Sequence, residues 1–242
     1  MCTPQLFVLK GFYMSWFERL NETFISDPDL GYKLLLKGLG NTILITLAAL
    51  LIGVVIGIAI AVAKYYAEGN PKLRFLDKIC DTYTTIIRGI PVTVLLLIFF
   101  FVIFVADENG VTTAIIAFGI NSGAYMAELV RSGINAVDKG QMEAARSLGL
   151  SKWQAMKNII LPQAVKNILP AIGNECIALL KETSVAGYVT VIDFTRAANL
   201  IRTNSGDAIN PLVLSALVYL ALVIMMTKLV SAFEKKLRRS DR

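Results

Sequence analysis

Glu175 stands in an otherwise apolar stretch, NILPAIGNECIALL, with no basic residue one helical turn away. A carboxylate at membrane depth is costly to leave alone. It calls either for a cationic or amine-bearing ligand or for a hydrogen bond to a neighbouring helix, so its chemistry is recognition and not bond making. Asn121, Tyr125, Glu128 and Ser132 recur at i, i+4, i+7 and i+11 and so share one helical face, on which Glu128 and Arg131 are spaced to pair. Lys181 and Glu182, adjacent and followed by Thr183 and Ser184, read as a further structural pair. Catalysis has few instruments here. The chain lacks histidine, its three cysteines (Cys2, Cys80 and Cys176) are far apart, and no G-x-x-x-x-G-K-[ST] phosphate loop occurs, so any nucleotide hydrolysis belongs to another polypeptide.

The elements that hold these residues are set by hydropathy. Of 242 residues 55% are hydrophobic and 17% charged, with a mean hydropathy of +0.62, an apolar excess beyond the needs of a soluble core. Residues 41 to 63 run for 23 positions without a charge, enough to cross a hydrocarbon core of about 30 Å. Further spans are expected at residues 80–105, 111–131, 167–191 and 208–230, the fourth interrupted by Pro170, Glu175, Lys181 and Glu182. The fold class expected is therefore an all-α integral membrane helical bundle of five transmembrane helices. Sixteen of the 24 basic residues fall after the first span (Lys64 to Lys78), after the third (Arg131 to Lys166) or at the end (Lys228 to Arg242), and the loop ADENG has none. That asymmetry predicts an outside N-terminus and a cytoplasmic C-terminus. It also accounts for the net charge of +6 beside a lipid surface, without nucleic acid. Residues 5–25, with Phe12, Trp16 and Leu20 at helical spacing, predict an amphipathic segment in the outer interface. Three regions follow: an interfacial segment at 1–33, a transmembrane domain at 34–232 with a polar loop at about 132–166, and a basic tail at 233–242.

Within that loop, Asp138 followed three residues later by Gln141, and Ser151 followed by Gln154, have capping-box spacing. Two short helices are expected, residues 139–148 and a second that runs until Pro162, meeting at a corner where Gly149 supplies a left-handed stop. Glu143 and Arg146 are spaced to pair, while Ala144, Ala145 and Leu148 form a compact apolar patch. Gly53 with Gly57, and Gly119 with Gly123, fit close helix packing.

Glu143-Ala144-Ala145, Gly149, Ile159 and Leu161-Pro162 give the spacing E-A-A-x3-G-x9-I-x-L-P. This resembles the signature loop of membrane subunits of ATP-binding-cassette importers. Arg88-Gly89-Ile90-Pro91, Asn121-Ser122-Gly123-Ala124-Tyr125 with Ala127-Glu128, and Gly173-Asn174-Glu175 followed by Lys181-Glu182-Thr183-Ser184 resemble the polar amino-acid uptake branch, so that the likeness extends from about Leu34 to Arg239. The resemblance implies the type-I, MetI-like importer permease fold. It implies that Glu143, Ala144, Ala145, Arg146, Leu148 and Gly149 couple the chain to an ATPase subunit, and that Glu175, Asn121, Ser122, Tyr125, Gly89 and Pro91 lie about a substrate site. Ile90 and Leu95 depart from the Thr and Gln of many relatives and remove two polar groups from the second span. The partners implied are a second permease chain, a pair of ATPase subunits that bind ATP and Mg, an extracytoplasmic binding protein and a polar or charged L-amino acid. No cofactor is expected on this chain, and its own role is not catalytic. The bacterial cell membrane is the location implied. Two rivals are an ion-coupled secondary transporter using Glu128, Glu175 and Glu182, and a membrane scaffold that moves no solute.

Overall fold

The computed structural model describes residues 16–27, 29–68 and 70–239, and these form helices, turns and loops only. In chain order the helices are α1 (Trp16–Phe24), α2 (Tyr32–Ala67), α3 (Arg74–Gly89, preceded by a 3-10 turn at Pro71–Leu73) and α4 (Val92–Ile98, continued by a π-helical turn at Phe99–Ile103). Then come α5 (Val111–Asn135), α6 (Lys139–Ser147) and α7 (Lys152–Ala155), which passes through a π-helical turn at Met156–Ile160 into α8 (Leu161–Glu182). A 3-10 segment (Thr183–Val189), α9 (Phe194–Ser205) and α10 (Asn210–Arg239) complete the fold. The expected interfacial segment at residues 5–25 lies outside the described residues up to residue 15. Its described part, α1, packs Phe24 against Leu35, Phe194 and Ala197, and the Thr23 hydroxyl donates to Asp207 at 3.2 Å.

The five-span expectation needs correction. Among the described residues three helices are long and apolar enough to cross a membrane: α2, α5 and α10. A fourth span requires the bent pair Pro71–Gly89 and Val92–Ile103, whose halves meet at 104°. The break falls at Ile90, in extended conformation (φ −99°, ψ 130°) before Pro91, a geometry that the proline ring favours in the residue ahead of it. The α8 helix has the length, 22 residues, but Lys166, Glu175, Lys181 and Glu182 deny it the apolarity.

Pro162 does not end a helix, contrary to expectation. It sits in the first turn of α8, directly after the π-helical turn at Met156–Ile160, and that wider turn carries the chain through without a gap. Pro170 is likewise accommodated inside α8.

The bundle is built on α2 and α5. A Cβ placed on Gly53 would meet the Ser122 Oγ at 2.6 Å, and one on Gly119 would meet Ile52 Cγ2 at 2.7 Å; Gly57 abuts Met126 and Gly123 abuts Ile56. The two expected glycine pairs thus bring backbones together, as small residues do in helix association without water. Around this seam Ile45, Ala49, Leu96, Ala114, Ala117, Phe118 and Leu179 are fully or almost fully buried. By contrast, only 6% of the apolar window of α10 is buried against the rest of the chain, compared with 61% for α5.

Candidate functional site

Ser122 and Asn121 are consecutive on α5, buried at 0% and 3% exposure, and both donate to α8. The Ser122 hydroxyl reaches Glu175 Oε1 at 3.0 Å, and Asn121 Nδ2 reaches Glu182 Oε2 at 3.4 Å. Glu175 and Glu182 are seven residues apart, two turns of α8, so both carboxylates lie on the face turned toward α5. Neither makes an ion pair among the described residues. Two carboxylates on one half-buried face, held by neutral donors, leave acceptor capacity that a cation or ammonium group would satisfy. The expected Lys181–Glu182 pair is absent, since consecutive helical residues point about 100° apart and Glu182 turns inward to Asn121 while Lys181 is exposed. That pairing obscured Glu182 as a member of the site. Its i+7 spacing from Glu175 was the signal that could have found it.

Tyr125 and Glu128 belong to a second group. Arg131 donates to Glu128 at 2.6 Å as expected, and Arg88 at the end of α3 lies 4.0 Å from Glu128 and 5.2 Å from the Tyr125 ring centroid. Arg88 therefore brings the α3–α4 break, with Gly89 and Pro91, beside Tyr125, one turn of α5 from Asn121. Gly89 is exposed, with nothing within 4 Å of where a Cβ would stand. Of the six expected substrate residues, the structure bonds Ser122 to Glu175, turns the neighbouring Asn121 to Glu182 on the same face of α8, and sets Tyr125, Gly89 and Pro91 around Arg88. The site holds no cluster of three His, Cys, Asp or Glu side chains able to take a metal ion, among the described residues.

The polar loop folds as a corner. Ser151 and Gln154 form the expected capping box, with Gln154 N–H donating to Ser151 Oγ at 3.2 Å and Ser151 N–H donating to Gln154 Oε1 at 2.9 Å. The first cap is simpler than expected, because Asp138 Oδ1 accepts from Gly140 N–H at 2.8 Å and Gln141 does not reciprocate. α6 ends in a Schellman motif: Leu150 N–H donates to the Ala145 carbonyl and Gly149 N–H to that of Arg146, with Gly149 at φ +86°. Arg146 donates to the Leu150 carbonyl at 2.8 Å and does not pair with Glu143, so its charge closes the turn and does not brace the helix. The expected apolar patch divides. Ala145 is buried, whereas Ala144 and Glu143 are exposed and Leu148 projects at 84% exposure. Beneath the corner, Val130, Val137, Ile160, Ala164 and Ile168 form a cluster with Met142 and Met156, which seats it on α5 and α8.

Comparison with known proteins agrees with this arrangement. Residues 53–239 match the family model described as "Binding-protein-dependent transport system inner membrane component". A probable amino-acid ABC transporter permease protein, YckA of Bacillus subtilis, is 38% identical over 207 residues, 85% of this chain and 89% of that one. The arginine transport system permease protein ArtQ of the same organism is 36% identical over 212 residues, 86% and 94% of the two chains. Among solved structures, an amino acid ABC transporter crystallised with histidines superposes with a TM-score of 0.77 at 38% identity, covering 85% of this chain and 94% of that one. The MetNI methionine ABC transporter in an inward-facing form shares the fold at a TM-score of 0.73 and 19% identity, over 84% and 96% of the chains. The helices, the corner and these matches lead to one conclusion: this chain belongs to the family of binding-protein-dependent transport system inner membrane components, as a permease subunit of an ATP-binding-cassette importer.

Proposed function

We propose that this permease imports polar or charged L-amino acids, and that Glu175 and Glu182 receive a cationic or amine-bearing part of the substrate. The observation that carries this reading is the pair of carboxylates on one face of α8, held by Ser122 and Asn121 and left without an ion-pair partner among the described residues. The named relatives include an arginine transport permease and a probable amino-acid permease, which supports the same class. Tyr125, Gly89 and Pro91 complete the proposed site at the α3–α4 break, where backbone amides freed from the helix are suited to a carboxylate.

The rest of the assembly follows from chemistry this chain lacks. Two permease chains enclose the pathway, and the polar face of α8 looks toward it. The N-terminus is outside and the basic C-terminus in the cytoplasm. A pair of ATPase subunits binds ATP and Mg and receives Glu143, Ala144, Ala145, Arg146, Leu148 and Gly149 in a groove, while a binding protein delivers substrate from outside. ATP binding draws the two corners together and turns the cavity outward, and hydrolysis reverses this.

Reconstituted vesicles test the reading. Accumulation of a basic amino acid is expected only with the ATPase subunits, ATP at their face and a loaded binding protein. Uptake that collapses with the ion gradient and persists without ATP would replace it with the ion-coupled transporter, and no accumulation under any condition would leave a scaffold.

A further inference from the structure

The end of α2 nearest the corner carries Lys64, Tyr65 and Tyr66 in its last turn, followed by Glu68. Tyr66 stacks on the Trp153 indole with centroids 6.2 Å and planes 26° apart, and Tyr65 lies 6.4 Å from the same ring. Lys152 Nζ is 3.0 Å from Glu68 Oε2 and 5.3 Å from the Tyr65 centroid, while the Tyr65 hydroxyl approaches the Lys152 carbonyl at 3.5 Å. Each of these contacts is exposed and individually weak. Together they fix one orientation, because Lys152 and Trp153 are the first two residues of α7 and the Ser151 capping box holds that helix start. The corner is joined by the chain to α5 and α8, yet here it grips a third helix, 84 residues away in sequence.

What α2 does with that grip follows from its length. It runs unbroken for 36 residues, about 54 Å at 1.5 Å per residue. Its far end meets α9, where a Cβ on Gly38 would lie 2.7 Å from the Asp193 carbonyl oxygen. Between the ends it is keyed to α5 at Gly53 and Gly57. Lys64, one turn above Glu68, pairs with Asp77 at 3.8 Å and with Asp81, both on α3, the helix that leads to the Ile90–Pro91 break. A displacement of the corner thus has a rigid route to the opposite end of the bundle and a side branch toward the break.

We propose that Tyr65, Tyr66 and Glu68 clasp Lys152 and Trp153 so that the corner drives α2 as a lever, which makes Lys152 and Trp153 positioning residues for transport. The inference rests on the proposed docking of the corner to an ATPase subunit. Its test uses the complete transporter in vesicles, with uptake per ATP hydrolysed as the readout. Lys152→Glu and Trp153→Ala should each retain the ATPase subunits and their hydrolysis while uptake per ATP falls about fivefold or more. Glu68→Lys combined with Lys152→Glu should recover it, as should Trp153→Phe in part. In a background with Cys2, Cys80 and Cys176 changed to Ser, Tyr66→Cys with Trp153→Cys should be poorly coupled until a short reversible bifunctional thiol reagent bridges the pair, and poorly coupled again after reduction. Unchanged coupling in both single variants, bridging that fails to restore uptake, or release of the ATPase subunits from the variants would each overturn the clasp. Wild-type uptake that needs no ATPase subunit would instead overturn the importer reading itself.

Discussion

Ser122 faces two ways at once: its hydroxyl donates to Glu175 of α8 at 3.0 Å, and the same oxygen stands 2.6 Å from where a Cβ on Gly53 of α2 would be. One residue therefore joins the proposed substrate carboxylate to the glycine seam between α2 and α5. Glu175→Gln keeps the shape and removes the charge, so it should weaken transport of a basic amino acid by tenfold or more, about 1.4 kcal/mol, while sparing a neutral one. Transport assays with the two substrates side by side check this; equal affinity of mutant and wild type for the basic substrate would remove Glu175 from the site.

The seam itself should respond to volume alone. Gly57→Val forces side-chain atoms against Met126 of α5, an overpacking that costs about 1–3 kcal/mol, and should lower the melting temperature in detergent by several degrees. Gly40→Ala is the control. No atom lies within 4 Å of its Cβ position, and relieving a helix of glycine gains about 0.5–1 kcal/mol, so its melting temperature should hold or rise.

Gly149 is a matter of backbone and not of space, for nothing lies within 4 Å of its Cβ position while φ is +86°. Valine there costs about 1–2 kcal/mol in backbone sterics alone, enough to reopen the Schellman turn without unfolding the spans. Gly149→Val should insert and assemble but hydrolyse ATP without uptake, and Gly149→Asn, which tolerates the left-handed region, should be milder. Normal uptake in the valine variant would count against the corner as the coupling element.

Asp107, in the loop between α4 and α5, predicts a pH effect. The Thr113 hydroxyl, donating to its carboxylate at 2.6 Å, holds its pKa below the usual carboxylate value against an opposing burial penalty, and backbone donors including Thr113 N–H at 2.8 Å add to the lowering. A depressed pKa means that the ionised carboxylate is favoured in the folded state. Its contribution is present in full above the unfolded value of about 3.9 and is lost as pH falls through the lower folded value. Thr113→Val should therefore melt below wild type at neutral pH, with the difference closing in acid. Melting curves from pH 7 down to pH 3 give the comparison.

Local chemistry was legible in the sequence, and distant partners were not. The Ser151–Gln154 box, the Gly149 stop, the Glu128–Arg131 pair and the glycine seam each depend on residues within a turn or two, or on side-chain size alone. The bond from Asn121 to Glu182 spans 61 positions, and no rule of spacing announces it. Along a helix as uniformly apolar as α2, hydrophobic periodicity no longer marks which face meets protein, so the partners of α5 and α8 could not be read from pattern. The continuity of α7 into α8 escaped for another reason: Pro162 is a stop in most contexts and a start in this one, and the π-helical turn that decides between them leaves no mark in composition. The fit of Glu175 to Ser122 was visible only as a motif, whose meaning came from resemblance and not from physics.

The bare flank of α10 has a practical consequence. Leu217, Leu220, Ile224, Met225 and Leu229 are all exposed by about half or more, and hydrocarbon suits them as well as protein would. In lipid this surface is inert. In water it is a continuous adhesive strip, so the chain has to enter the bilayer as it is made, and a detergent that strips the flank of lipid trades a stable subunit for an aggregating one. Retained phospholipid, more than any added salt bridge, should decide how long the purified permease survives.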